Sequence, residues 1–179
     1  MHRLGSARSI ELTLEGLKSG DPIVRQDARE KLVSQGNTAV PMLNDLLSAR
    51  EDQIRWEVAK ALGEISGPEA IRALARVLSD GNRDVRWVAA EGFIAAGEVA
   101  TEPLLHELIM HSGLVWVREA GIRVIDANLR SSKAEYLHPV LSALKGRVPI
   151  FEVPLAAYEA LVELHRSRLN LDRLANSPA

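Results

Sequence analysis

The chain has 179 residues, a formal net charge of −2, 46% hydrophobic but only 4% aromatic residues, and no cysteine. The missing cysteine excludes a disulfide framework and a thiolate-bound zinc or iron–sulfur centre, and the near-neutral charge does not mark a nucleic-acid partner. With so few aromatics, small aliphatic side chains must make the core, which suits closely packed helices.

In chain order, Met1-His2-Arg3-Leu4-Gly5-Ser6 lacks the apolar segment of a secretory signal. No later run of about 18 apolar residues is present to span a membrane, so a cytoplasmic location is expected. A phrase then recurs four times. Ile23-Val24-Arg25, Gln53-Ile54-Arg55, Asp84-Val85-Arg86 and Trp116-Val117-Arg118 each open an Ala-rich apolar segment, with the arginines spaced by 30, 31 and 32 residues. A fixed period in this range means stacked repeats. Alignment on the arginines predicts a single all-α solenoid domain of five two-helix units, at about 9–36, 37–66, 67–96, 97–128 and 129–166, with 167–179 as a C-terminal tail. First helices carry stripes such as Val40, Leu43, Leu46, Leu47 and Ile71, Leu74, Val77, Leu78. Second helices carry Ile54, Val58, Ala61, Leu62, Ile65 and Val85, Ala89, Phe93, Ala96. Joints such as Gly20-Asp21-Pro22, Ser66-Gly67-Pro68 and Asp80-Gly81-Asn82 place glycine for left-handed C-caps, Asp or Ser for N-caps, and proline for first turns. Pro41, Pro103 and Pro139 recur at one point of the first helices, which reads as a shared kink. No segment alternates strictly over six residues, so no strand is expected.

The phrases from Ile54 to Ile65 (IRWEVAKALGEI) and from Asp84 to Gly97 (DVRWVAAEGFIAAG) resemble HEAT repeats, in the short form of about 30 residues found in phycobilin-lyase-like proteins. The resemblance covers the first four units, and the fifth more loosely, since Val153-Pro154-Leu155-Ala156-Ala157 replaces the Val-Arg phrase. It implies an all-α superhelix whose second helices line the concave face. HEAT proteins usually use the repeat arginine structurally, so Arg25, Arg55, Arg86 and Arg118 are read as a ladder bridging to loop acids such as Asp21, Asp52, Asp80 or Asp84. Arginine's planar fork suits that pairing. The other reading is a row gripping phosphates or carboxylates.

On the second helices, helical period leaves one set of residues facing outward. The set comprises Gln26, Asp27, Glu30 and Ser34; Trp56, Glu57, Lys60 and Glu64; Trp87, Val88, Glu91 and Ala95; Glu119, Ala120, Arg123 and Ala127; and Leu155, Ala156, Glu159 and Glu163. Eight acids against Lys60 and Arg123 make this predicted face acidic. Trp56 and Trp87 hold the same place in adjacent repeats, roughly 8–10 Å apart if their helices pack directly. They either seat a partner's Lys or Arg side chain among carboxylates, or lie flat on a neighbouring helix. Trp116, at a helix entry, reads as packing against a loop.

Catalytic and metal signals are missing. His106 and His111 are spaced i, i+5, on different faces of a helix, so a zincin site is not formed. Deoxyhypusine hydroxylase, another HEAT protein, places iron-binding His-Glu pairs just after the repeat arginine, where this chain has Trp56-Glu57 and Trp87-Val88. No catalytic residue, metal ligand or cofactor is therefore assigned. The expected function is that of a scaffold or adaptor. It would bind a protein or peptide with a basic segment through Trp56, Trp87, Glu57, Lys60, Glu91, Asp27, Glu30, Glu119 and Arg123. Two alternatives stand beside it: a phycobilin-lyase-like subunit handling a tetrapyrrole, and a nucleic-acid-binding HEAT protein, which the acidic face disfavours.

Overall fold

The structure is a computed structural model that describes residues 13–131 and 134–175, side chains included as far as residue 170. All regular structure among the described residues is helical. A helical stretch at 13–17 leads into α1 (Pro22–Ser34), α2 (Val40–Leu46), α3 (Asp52–Ile65), α4 (Pro68–Ala75), α5 (Arg83–Ala96), α6 (Glu98–His111), α7 (Val115–Ser131), α8 (His138–Leu144) and α9 (Pro149–Ala175). Single 3-10 turns precede α2 (Gly36–Thr38) and α8 (Glu135–Leu137), and another follows α4 (Arg76–Ser79). The chain forms two compact units, one ending at Ala100 and the other beginning at Thr101, so the division falls inside α6.

In the first unit α3 packs between α1 and α5, and α2 and α4 pack on it from the other layer. This is solenoid packing, in which each hairpin touches only its neighbours. Leu32, Leu43, Leu62, Ile71, Leu74, Leu78 and Phe93 are fully buried between the layers, each contributing roughly 1.5–3 kcal/mol relative to exposure. In the second unit α8 packs on both α7 and α9, around Val117, Val124, Ile125, Val140, Val153 and Ala157. The final helix runs to Ala175, through most of the stretch at 167–179 read as a tail. No glycine or proline interrupts it there.

The joints follow local chemistry, with two differences from expectation. Asp21 caps α1 by accepting from Ile23 N at 2.8 Å, and Asn82 caps α5 by accepting from the N–H groups of Asp84 and Val85. Gly36 and Gly97 take a positive φ of 57°. After α3, however, it is Ser66 (φ 55°) that takes the left-handed conformation and not Gly67. The Ser66 hydroxyl donates back to the Gly63 carbonyl, which offsets part of the cost of that conformation in a non-glycine residue. Pro41 and Pro139 lie in the first turn of α2 and α8, where no N–H is missed; of these three, Pro103 alone sits inside a helix.

Two glycines set the distance between α3 and α5. A Cβ at Gly63 would lie 3.0 Å from the Gly92 Cα, and one at Gly92 would meet the Gly63 Cα at 2.9 Å and Leu74 Cδ2 at 2.7 Å. The backbones therefore cross in direct contact. Gly92→Ala gains about 1 kcal/mol of helix propensity but overpacks this crossing at a typical cost of 1–3 kcal/mol. A net loss of stability in urea titration is expected, whereas Gly81→Ala, which meets nothing within 4 Å, should leave the crossing untouched.

Candidate functional site

Each recurring arginine points back into the loop before its own helix. Its Nη1 donates to the carbonyl six residues earlier: Arg25 to Ser19 at 2.8 Å, Arg55 to Ala49 at 2.8 Å, Arg86 to Asp80 at 2.7 Å, and Arg118 to Ser112. The first three also donate to the carbonyl five residues earlier, on Gly20, Arg50 and Gly81. These loop carbonyls have no helical partner, and a guanidinium at the start of the following helix supplies one. Two arginines use their remaining nitrogens to reach the next repeat. Arg25 Nε donates to Glu57 Oε1 at 3.1 Å. Arg55 holds Asp80 with both Nε (2.7 Å) and Nη2 (3.0 Å).

Asp80 is the hub of a closed polar ring. Its Oδ1 also accepts from Asn82 N, while the Asn82 amide reaches Asp52 Oδ2 at 2.7 Å, and Asp52 Oδ1 accepts from Arg55 Nη2 at 2.6 Å. Burial pushes the Asp80 carboxyl up, but the hydrogen bonds from Arg55 and from Asn82 N, with the charges of Arg55 and Arg86, outweigh it and hold it below the ordinary aspartate value. The same Asp80 bond, against the opposing effect of burial, raises Arg55 above its usual value.

Glu57 occupies the equivalent hub one repeat earlier. It is only 4% exposed, and accepts from Arg25, from Arg29 Nη1 and from Gln53 Nε2 at 3.2 Å. The expectation that Glu57 faces a partner is therefore corrected: its carboxylate is spent inside the chain. Arg29 also covers Trp56, its guanidinium carbon 5.9 Å from the ring centroid, and brings Nε to 3.8 Å from Glu64. The cation seat expected at Trp56 is thus filled by the chain's own Arg29. Sequence reading missed Arg29, although it stands where the next two repeats carry Ala59 and Ala90. A large cation at an alanine position was the available signal.

Along the starts of α1, α3 and α5 lies a groove of about 540 Å³, lined by Gln26 and Arg29, by Asp52, Gln53 and Trp56, and by Asn82, Asp84 and Val85, among others. Trp87 lies on the same row of helices and is 54% exposed; Glu91, one turn on, is exposed as well. Asp27 and Glu30 are exposed on α1, with partners on their own helix: Lys31 at 2.6 Å and Gln26 at 2.9 Å. Lys60 is half-buried and lies 3.5 Å from Glu64. Two further outward assignments are corrected, since Val88 and Ala120 are buried. In the second unit, Glu119 is exposed and Arg123 half-buried on α7. Trp116 is 37% exposed at the start of α7, next to buried Val117.

No group of three or more His, Asp or Glu side chains that could hold a metal occurs among the described residues. None of the described helices is long and apolar enough to cross a membrane. Residues 10–94, which hold α1 to α4 and most of α5, match the family of HEAT repeats. The matched segment is similar to HEAT repeats, and the fold is that of an all-α solenoid. No curated protein sequence matches the chain.

The polar hubs give the protein a definite acid response. Arg168 and His165 hold Glu102 below its ordinary value in the second unit, as Arg55 and Asn82 hold Asp80 in the first. A carboxylate depressed in the folded state stabilises it fully above the unfolded value, about 3.9 for Asp and 4.3 for Glu, and loses that contribution as pH falls through the lower folded value. Stability from urea titration should be level near neutrality and fall below about pH 4. In Asp80→Asn, stability should be lower near neutrality and the acid-side fall shallower.

Proposed function

We propose that the chain is a protein-binding scaffold, without catalytic activity of its own, that takes a segment of another protein along the second-helix face of its first unit. HEAT repeats commonly serve as protein-interaction scaffolds, and residues 10–94 match them. The repeats are assigned to the short, phycobilin-lyase-like form, on their period of 30–32 residues. Arg25, Arg55, Arg86 and Arg118 are assigned to a structural ladder and not to the partner.

The observation that carries this reading is the exposed Trp87, on α5, whose start lines the groove, and one turn from Glu91. The neighbouring repeat supplies the chemistry of recognition: Arg29 lies over Trp56 with Glu57 and Glu64 beside it. A guanidinium over an indole gains roughly 0.5–2 kcal/mol. A partner's Arg or Lys is proposed to cover the exposed part of Trp87, with an apolar anchor alongside. Asp84, Glu91 and Glu30 draw a cationic segment in and disfavour an acidic one. This face is a poor match for nucleic acid, which needs a cationic surface.

The direct probe is calorimetric titration of the protein with Arg-bearing peptides. Trp87→Ala should weaken binding by about 1–2 kcal/mol or more. Glu91→Lys should chiefly slow association and flatten its salt dependence. Peptide affinity that ignores both substitutions would remove this face from the proposal.

A further inference from the structure

The last helix is apolar on two sides, and only one of them is packed. Val153, Ala157, Ala160, Leu161 and Leu164 are buried within the second unit. Around the helix from them lie Phe151 (78% exposed), Leu155 (62%), Tyr158 (58%), Val162 and Leu169, all exposed. Their spacing of four, three, four and seven residues is the heptad pattern of a helix-to-helix seam. Five large apolar side chains in one row is more than the scattered exposure of an ordinary surface.

The charges beside the row are divided along the helix. Exposed Glu152 and Glu159 flank its first half; in its second, His165 holds the row position between Val162 and Leu169, and Arg166 and Arg168 flank it, with Glu163 2.8 Å from Arg166. Glu102 of α6 grips that basic end, with His165 Nε2 at 3.1 Å and Arg168 Nη1 also in contact, so the seam is presented from a fixed helix. A helix that is acidic at one end and basic at the other is complementary to itself when reversed. The heptad register agrees with this. An antiparallel copy centred between Tyr158 and Val162 sets Tyr158 against the partner's Val162, Phe151 against the partner's Leu169, and Glu152 near the partner's Arg166. A parallel copy would put the acidic halves together.

We propose that α9 is a homodimerisation surface, on which a second copy of this chain packs its own α9 antiparallel about a two-fold axis. This reaches beyond the partner-binding reading, since it uses the second unit and leaves Trp87 and the groove uninvolved. An isologous contact of this kind closes on itself and buries the row on both copies at once.

Sedimentation velocity of the full chain over a concentration series tests it, with circular dichroism to verify helix content. The intact chain should show a concentration-dependent dimer. Leu155→Arg and Tyr158→Arg, both at exposed positions, should keep the helical spectrum and raise the dimer dissociation constant by about 30-fold or more. Glu152→Arg should weaken the dimer, and Glu152→Arg/Arg166→Glu should restore it. A chain that stays monomeric throughout the series overturns the proposal, and so does a dimer indifferent to Leu155→Arg and Tyr158→Arg. A dimer that loses affinity with Glu152→Arg but is not rescued by the double exchange overturns the antiparallel arrangement.

Discussion

One interaction recurs inside each hairpin: a guanidinium at the start of a second helix bound to the carbonyls of the loop before it. A two-helix repeat must turn its chain sharply after every first helix, and each turn leaves carbonyls without helical partners. Water could satisfy them only if the loop stayed exposed. Arginine satisfies two of them with one nitrogen and keeps others for the next repeat, which lysine's single ammonium could not do with the same geometry. Arg25 reaches Glu57 and Arg55 reaches Asp80, so the group that closes one loop is also tied to the second helix of the following hairpin or to the loop just before it. Glycines at the α3–α5 crossing then allow the helices so aligned to pack backbone to backbone.

The same chemistry limits what is left for a partner. Carboxylates deep between repeats, such as Glu57, are neutralised within the chain, because a buried acid without a counter-charge would be costly. Asp27, Glu30, Asp84 and Glu91 are exposed on α1 and α5, with Asp27 paired to Lys31 on its own helix. The proposed docking face is therefore less acidic than a count of second-helix residues suggests, and its distinctive element is the exposed indole of Trp87. The second unit presents a surface of another kind, the apolar row of α9, so the two proposed surfaces differ in chemistry as well as in place.

Much of the fold was legible in the sequence because the repeat period and the apolar stripes both follow from helix geometry. Residues chosen for the core by spacing alone, such as Leu43, Val58, Leu62, Leu74, Val85 and Phe93, are buried. The site was less legible, for a physical reason. Helical period tells which side of a helix is apolar, but α3 packs against α1 and α5 as well as against α2 and α4. A charged residue such as Glu57 can therefore lie within contacts that a two-sided helix would leave open. Pairing between repeats, as in Arg29 with Glu57 and Trp56, joins positions 27 and 28 residues apart, and no local pattern announces it. The length of α9 was missed because its last turns continue past the end of the repeat pattern.

The account rests on the arginine acting through its fork and not merely through its charge. Native-state hydrogen exchange on Arg55→Lys tests that point, since the substitution keeps the charge and removes the planar set of donors. The amides of the loop at 49–51, before α3, and those at 80–82, in the next repeat, should both exchange faster than in the parent chain, while those of α8 should not change. If both loops keep their protection, or only one of them opens, the arginine does not couple consecutive hairpins and the account is wrong.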